Sequence, residues 1–297
     1  MKYQRKLVFG LAMIAALAAL ATVADAQQQP APLKVANIRD NIYWTQGGAG
    51  GNTGIIVGTT GVIVVDTKTT VESSKEVQAG IANITPKLVD TAIVTHSDND
   101  HVNGLAGFPP GLTIIAQENC KKEMEASVGT TKAAPQDRLP TKTIAKDESM
   151  SIDGVRVRLM HWAPAHTSGD LIIYFPDQRV VFGGDLLVTN HEIRINVEKQ
   201  GSVEGWIENV KGMLALDAET YVTGHGDLMT KDDVKKKLVF IQDTWDKVKT
   251  LAVKGKSLDE VKTAMGESTA PPTPNAQGNL PDASLTEAMY NEITKKY

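Results

Sequence analysis

The feature that most constrains the fold is a cluster of histidine and aspartate directly after a short hydrophobic strand. The strand is predicted over 91–95, and the next six residues read His-Ser-Asp-Asn-Asp-His. Four of them, His96, Asp98, Asp100 and His101, can each offer a ligand atom to zinc or another first-row divalent ion. Alone, the cluster could also form a polar turn, so further ligands are needed to indicate a metal site.

Three later segments supply such ligands. His166 lies in Pro-Ala-His-Thr-Ser-Gly-Asp, Asp185 ends a predicted strand in Val-Phe-Gly-Gly-Asp, and His225 lies in Thr-Gly-His-Gly-Asp. Each candidate has a small residue beside it in a predicted loop. Glycine at such places allows the backbone to approach an ion closely.

The rest of the pattern predicts a layered α/β protein, because short apolar strands alternate with helices. A polar loop is expected over 129–142, and helices are expected to begin after the capping residues Thr230 and Ser257. The predicted strands are 53–57, 61–65, 91–95, 112–116, 155–160, 171–175 and 179–182, and three predicted helices are 71–84, 118–127 and 203–216.

The first 26 residues are typical of a secretory signal peptide. Lys2, Arg5 and Lys6 precede an apolar run over 7–23, and Ala-Asp-Ala at 24–26 fits a cleavage site. We therefore expect an exported protein, periplasmic or secreted, with an uncleaved membrane anchor as the alternative. The expected organisation is a signal peptide over 1–26, one domain over 27–266, and a linker with a C-terminal helix over 267–297.

Charge and cysteine content exclude some classes of protein. Loss of three basic residues and one acidic residue with the leader would change the net charge from −4 to −6. This acidity gives no reason to expect a nucleic-acid partner. No other apolar run is long enough to cross a bilayer. Cys120 is the only cysteine, so no internal disulfide can form, and we interpret it as a small buried side chain.

With Asp66 at the end of a predicted strand, five landmarks follow one another in order: Asp66, the 96–101 cluster, His166, Asp185 and His225. In this arrangement the chain resembles the metallo-β-lactamase superfamily, and within it the exported hydrolases. The resemblance covers roughly 37–266. It implies a four-layer αββα sandwich with the site along one edge of its two sheets.

The resemblance also implies roles for these residues. One metal ion would be bound by His96, Asp98 and His166, and a second by Asp100, His101 and His225. Asp185 would bridge the two ions, Asp66 would orient the ligand loop, and Asp170 would do similar work near His166. Two zinc ions per chain are expected, with iron or manganese as alternatives.

Asp98 departs from the usual family motif, which has histidine at that position. Two divalent ions carry four positive charges, and three carboxylates with one hydroxide carry four negative charges, so the formal charge is zero. Histidine at position 98 would leave one positive charge. We therefore expect a higher pKa for the bound water than in the usual family site. Flavodiiron oxygen reductases of the same superfamily carry a carboxylate at this motif position and use iron.

The expected activity is hydrolysis by a metal-bound hydroxide of an ester, lactone, thioester or lactam, with Asp100 holding or moving the proton. A phosphoester is also considered. One alternative is a true β-lactamase, although that group usually has Cys or Ser where this chain has Asp185. A diiron-type oxidoreductase is favoured only by Asp98, and the last alternative is a metal-binding module without turnover.

The expected partner is a small-molecule substrate, because loops around a common metal centre set specificity in this superfamily. The segments 129–142 and 189–201 are the predicted walls of the pocket. His191 is a candidate for substrate contact, and Arg194 is a weaker candidate for binding a carboxylate. His161 is expected to be structural. The sequence gives no prediction of oligomeric state.

Overall fold

The strands form two sheets in this computed structural model, which describes residues 31–130, 136–271, 273 and 283–295. The predicted signal peptide, part of the predicted loop at 129–142 and most of the predicted linker lie outside the described residues. Residues from Leu33 onward belong to one compact unit. None of the helices described in that unit is long and apolar enough to span a membrane.

The first sheet has its strands in chain order. The first three neighbouring pairs, which need only short turns, are antiparallel. The last three pairs are parallel, and parallel strands need a crossover connection. The strands are β1 Lys34–Arg39, β2 Ile42–Gln46, β3 Thr53–Val57, β4 Val62–Val65, β5 Val89–Ile93, β6 Thr113–Gln117 and β7 Lys142–Ile144.

The second sheet is mostly antiparallel, in the order β13-β12-β11-β10-β9-β8. Its one parallel pair is β11 with β12, and a helix connects those two strands. The strands are β8 Asp147–Ile152, β9 Val155–Met160, β10 Ile172–Phe175, β11 Val180–Phe182, β12 Thr220–Val222 and β13 Met229–Thr230.

Helices cover the outer face of each sheet. They are α1 Val71–Ala82, the short α2 Asn99–Val102, α3 Glu118–Ser127, α4 Val203–Ala215, α5 Lys231–Val253, α6 Leu258–Ala264 and α7 Leu285–Lys295. Thr70, Thr230 and Ser257 form capping boxes at α1, α5 and α6, which confirms the two helix starts predicted from capping residues.

Three apolar clusters hold the layers together. Ile63 and Ile93 of the first sheet meet Leu159 and Phe175 of the second in the cluster between the sheets. A second cluster lies between the first sheet and α1 with α3, and a third lies between the second sheet and α4, α5 and α7. Helix, sheet, sheet and helix thus form four layers, and the predicted αββα sandwich is confirmed.

The C-terminal helix α7 belongs to the third cluster, where Met289 and Ile293 are buried. Its Glu292 also closes the amino end of α4. The carboxylate accepts hydrogen bonds from Ser202 Oγ and Val203 N, both at 2.7 Å. A carboxylate at a helix amino terminus satisfies free N–H groups and complements the helix dipole.

Candidate metal centre

The carboxyl ends of two parallel strand pairs meet at one edge of the sandwich. Asp66 and the 96–101 cluster follow β4 and β5, whereas Asp185 and His225 follow β11 and β12. His166 lies in the connection between β9 and β10. All seven predicted ligand residues lie together at this edge: His96, Asp98, Asp100, His101, His166, Asp185 and His225.

His96, Asp98 and His166 form the first group, and one ligand atom of each lies within 4.8 Å of the others. Asp98 Oδ2 is 3.0 Å from His166 Nε2 and 3.8 Å from His96 Nε2. The second group, Asp100, His101 and His225, meets the same limit. There Asp100 Oδ2 is 3.0 Å from His225 Nε2 and 3.8 Å from His101 Nε2.

Asp185 lies between the two groups. Its Oδ1 is 3.2 Å from His101 Nε2 and 3.5 Å from His225 Nε2, and its Oδ2 is 4.0 Å from His166 Nε2. Its two oxygens thus face different groups, as a bridging ligand requires.

Two buried atoms at the centre have no hydrogen-bond partner within the described residues, namely His96 Nε2 and Asp185 Oδ1. Buried polar atoms are normally satisfied, so these two unpartnered atoms at the centre call for an explanation. Each group offers two imidazoles and one carboxylate, a donor set that suits zinc and other first-row ions. The residues therefore fit two metal ions.

Hydrogen bonds fix which nitrogen of each buried histidine carries the proton. Asp66 accepts from Thr95 N at 2.8 Å, Thr95 Oγ1 at 2.7 Å and His101 Nδ1 at 2.8 Å. The single hydroxyl proton of Thr95 is used on Asp66, so the contact of 3.0 Å between Thr95 Oγ1 and His96 must have Nδ1 as donor. The Nδ1 atoms of His96 and His101 are therefore both used on the side away from the centre, and Nε2 is the nitrogen that each ring presents to it.

His166 is oriented in the same way, by a backbone carbonyl. Its Nδ1 donates to the carbonyl oxygen of Arg194 at 2.8 Å, so Nε2 is the nitrogen that faces Asp98 and the centre. Asp170 holds the residue that follows His166. Its carboxylate accepts from Thr167 N at 2.9 Å and from Thr167 Oγ1 at 3.0 Å. The carbonyl of Asp170 also accepts from His161 Nδ1 at 2.8 Å.

The electrostatics of the site favour cations. Burial and the neighbouring His101 lower the pKa of His96 to about 4, so this imidazole is neutral at pH 7. Burial opposes protonation of His166, but its hydrogen bond to Asp98 and the charge of Asp185 raise its pKa to about 10. Burial would raise the pKa of Asp185, yet the neighbouring His101 holds it well below its usual range. The three carboxylates create a strongly negative potential.

Glycines at two positions allow this close packing. A Cβ at Gly224 would lie 1.9 Å from Asp185 Oδ1, and one at Gly51 would lie 2.4 Å from His101 Cε1. Neither position leaves room for a side chain, because real Cβ atoms do not approach below 3.0 Å. The sequence indicated the role of glycine beside His225, but the Gly-rich segment before β3 gave no such signal.

The centre opens into a cleft of about 710 Å³. His191, Arg194, Glu198 and Lys199 line it, so the predicted wall at 189–201 does face the site. Of the other predicted wall, 129–142, Thr130 lines the cleft, and residues 131–135 lie outside the described part of the chain. The ring of His191 lies 5.3 Å from that of His225.

Sequence reasoning missed one cation and one anion beside the first group. Lys199 Nζ donates to Asp98 Oδ1 at 2.5 Å and to Ser97 Oγ at 2.8 Å. Glu123 of α3 accepts from Ser97 Oγ at 2.5 Å and from Ser168 Oγ at 2.6 Å. Neither residue lies in a motif, and 101 positions separate Lys199 from Asp98.

A four-layer sandwich with two His-His-Asp groups bridged by an aspartate at its open edge defines a class of two-metal hydrolases. The model of one family, the metallo-beta-lactamase superfamily, matches residues 47–225. This chain belongs to the metallo-beta-lactamase superfamily, whose fold and homologues are those of metallo-hydrolases.

Two curated relatives are similar over part of their length. The chain is 31% identical over 172 residues to the 2,4-dinitroanisole O-demethylase subunit alpha of Nocardioides sp. (strain JS1661), covering 57% of this chain and 51% of that protein. It is 24% identical to a linear primary-alkylsulfatase of Pseudomonas sp. (strain ATCC 19151), covering 56% of this chain and 39% of that protein. The chain thus spans about half or less of the length of these relatives.

Solved structures share the fold. The stereoselective inverting sec-alkylsulfatase Pisa1 from Pseudomonas sp. superposes with a TM-score of 0.65 at 15% identity, over 89% of this chain and 50% of that one. A metallo-beta-lactamase from Pontibacter korlensis superposes with a TM-score of 0.59 at 18% identity, over 71% of this chain and 99% of that one.

Proposed function

We propose that this chain is a binuclear metal-dependent hydrolase of a small molecule with an ester, thioester, lactone or lactam centre. One observation carries the proposal. Two groups, each of two histidines and one aspartate, meet at Asp185 on the floor of an open cleft, where two buried donor atoms lack hydrogen-bond partners among the described residues. Two zinc ions are the proposed cofactor, and export to the periplasm or the medium is the proposed location.

When bound, the two ions supply Lewis acidity, which lowers the pKa of water and polarises the oxygen under attack. The protein's own contribution is orientation and proton handling. Asp185, with a side chain only 11% exposed, holds the two groups in register. Asp100 is 37% exposed and faces the cleft, so it is the carboxylate best placed to hold a proton during turnover.

The names of the relatives broaden the range of substrates to test. One acts in the O-demethylation of 2,4-dinitroanisole and another on linear primary alkylsulfates, so an aryl methyl ether and an alkyl sulfate join the panel. A β-lactam such as nitrocefin also belongs there. A diiron oxidoreductase is the second candidate function, because Asp98 adds an oxygen ligand to the first group and oxygen ligands suit harder ions.

The test begins with the chain from residue 27 onward, purified without chelator, and its metal content. We expect two zinc ions per chain and turnover of at least one panel substrate. Asp185→Asn and Asp100→Asn should keep the fold and lose turnover, because each removes a ligand that both supports the ions and faces the reaction. Asp177→Asn, an exposed aspartate on the β10–β11 turn, is the matched control.

Three results would contradict the proposal. Full turnover in Asp185→Asn or in Asp100→Asn would show that the substituted carboxylate is not needed for catalysis. Two irons per chain with oxygen consumption would favour the oxidoreductase, and absence of any bound metal would overturn the metal centre itself.

A further inference from the structure

The two oxygens of Asp98 have different partners. Oδ2 faces the first group, 3.0 Å from His166 Nε2 and 3.8 Å from His96 Nε2. Oδ1 faces away and accepts from Lys199 Nζ at 2.5 Å. The side chains of Asp98 and Lys199 are only 24% and 28% exposed, so this ion pair is shielded from bulk water. One oxygen is therefore left for a metal ion.

We propose that Lys199 is a positioning residue that, together with Asp98, forms a charge-neutral donor with a single ligand atom where the family has a histidine. This inference rests on the proposed metal centre. A lone carboxylate differs from imidazole in two respects: it carries a negative charge, and it can bind an ion through two oxygens. Lys199 cancels the charge and occupies the second oxygen.

The ammonium also changes the charge balance expected from the sequence. Three carboxylates and a hydroxide against two divalent ions sum to zero. The ammonium beside Asp98 adds one positive charge, which is the sum that histidine at position 98 would give. Counted over these groups alone, Lys199 and Asp98 together restore the formal charge of the usual ligand set. Bound ions would then attract electron density from water more strongly than they would beside Asp98 alone.

The backbone of Lys199 is tied to the loop that carries His166, which makes the ammonium a fixed charge. Ser168 N donates to the carbonyl of Lys199 at 2.8 Å, and Asn196 N donates to the carbonyl of His166, also at 2.8 Å. The side chain is fixed as well, because Nζ donates to Ser97 Oγ at 2.8 Å. These bonds hold the ammonium where it can direct the carboxylate.

The experiment is a double-mutant cycle on zinc affinity, measured with Zn²⁺ alone by competition against a chromogenic chelator. The variants are Lys199→Met, Asp98→His and the double variant, each in the chain from residue 27 onward. Lys199→Met should weaken the affected zinc site about tenfold, because loss of an outer partner of a ligand typically costs 10- to 100-fold in affinity. Lys122→Met, an exposed lysine on α3, is the charge-matched control and should change nothing.

The sign of the effect distinguishes this role from a merely structural one. In the Asp98→His background, Lys199 is a cation beside a neutral ligand, and the carboxylate to which its ammonium donates directly is gone. Removing it there should tighten zinc binding, which is the opposite of its effect in the native background. Lys199→Arg, which keeps the charge, should recover part of the native affinity.

Failure of this inference can be separated from failure of the proposed function. If the native chain binds two zinc ions and Lys199→Met changes affinity by less than twofold or tightens it, the pairing is refuted and the metal centre stands. An effect of the same sign in both backgrounds refutes the pairing too. If the native chain binds no zinc, the proposed metal centre is itself wrong. Thermal unfolding of each variant with and without zinc verifies that it is folded.

Discussion

At the residue scale, the placement of single protons prepares this site for metal ions. Asp66 is 2% exposed and lies in the left-handed region at φ +58, a conformation that is uncommon outside glycine but that aspartate and asparagine adopt more readily than most residues. In this position its carboxylate reaches both Thr95 and His101. These bonds turn Nε2 of His101 and, through Thr95, Nε2 of His96 toward the centre, so one aspartate decides which nitrogen two ligands present.

Asp66→Asn tests this account. The amide oxygen must stay toward Thr95 N, which puts the amide NH2 against His101 Nδ1. That nitrogen must then accept, the proton moves to Nε2, and His101 can no longer bind an ion. We expect zinc affinity to fall about 10- to 100-fold with little change in fold, measured by chelator competition. Asp90→Asn, an exposed aspartate on β5, is the control, and unchanged affinity in Asp66→Asn would refute the tautomer argument.

At the scale of elements, the connection between β2 and β3 is held against the site by a buried cation. Lys68 is 0% exposed, and its Nζ donates to the carbonyl of Gly47 at 2.7 Å. Further along this connection, Gly51 N donates to the carbonyl of Asp100 at 2.9 Å. Burial lowers the pKa of Lys68 to about 8, although Glu76 and Asp66 oppose the shift.

This pKa predicts a pH dependence of stability. The folded pKa of about 8 is below the reference value of 10.5, so the unfolded chain binds more protons between these values. The contribution of Lys68 to the free energy of unfolding therefore rises with pH across that window, by at most about 3 kcal/mol. The stability of Lys68→Met relative to the native protein should fall by that amount between pH 8 and 10.5.

Urea unfolding at pH 7, 9 and 10.5 measures this difference, with the exposed Lys75→Met as a matched control. A stability difference between Lys68→Met and the native chain that is constant across the three pH values would contradict the buried-charge account.

The elements also show what sequence alone can predict. Strand 155–160 and helix 118–127 have the predicted bounds, because apolar side chains or caps mark their ends. In contrast, β8 reads Asp-Glu-Ser-Met-Ser-Ile and is mostly exposed, so its extended conformation depends on pairing with β9 rather than on its own pattern. The predicted ligands stand out because they lie in motifs, whereas Lys199 and Glu123 are brought to the site by tertiary contacts that no local pattern encodes.

At the scale of the whole molecule, the metal centre joins the two halves of the sandwich. Asp98, Asp100, His96 and His101 follow a strand of the first sheet, and the remaining three ligands follow strands of the second. Bound ions would therefore link the sheets in a chain that has no disulfide, since Cys120 is its only cysteine.

Chelation should consequently lower the stability of the whole fold. A ligand that binds only the folded state adds RT ln(1 + [L]/Kd), about 4 kcal/mol for each ion at a thousandfold excess over Kd. We expect dialysis against EDTA to lower the Tm by several degrees and zinc to restore it. In Asp185→Asn, the Tm with zinc and the Tm after EDTA dialysis should differ much less. Equal Tm values with and without zinc in the native chain would contradict the prediction that bound ions link the two sheets.

The carboxylate that closes the amino end of α4 has a consequence for biosynthesis. Glu292 is translated 89 residues after Val203, whose N–H it receives. The cleft wall at 189–201 leads directly into that helix end. The wall itself is bonded to the His166 loop, which is made earlier, so only the closure of the helix end waits for this much more chain. The amino end of α4, next to the cleft wall, would thus be among the last parts of the molecule to be completed, and a ribosome stalled before α7 would carry a sandwich in which Glu292 does not yet close that helix end.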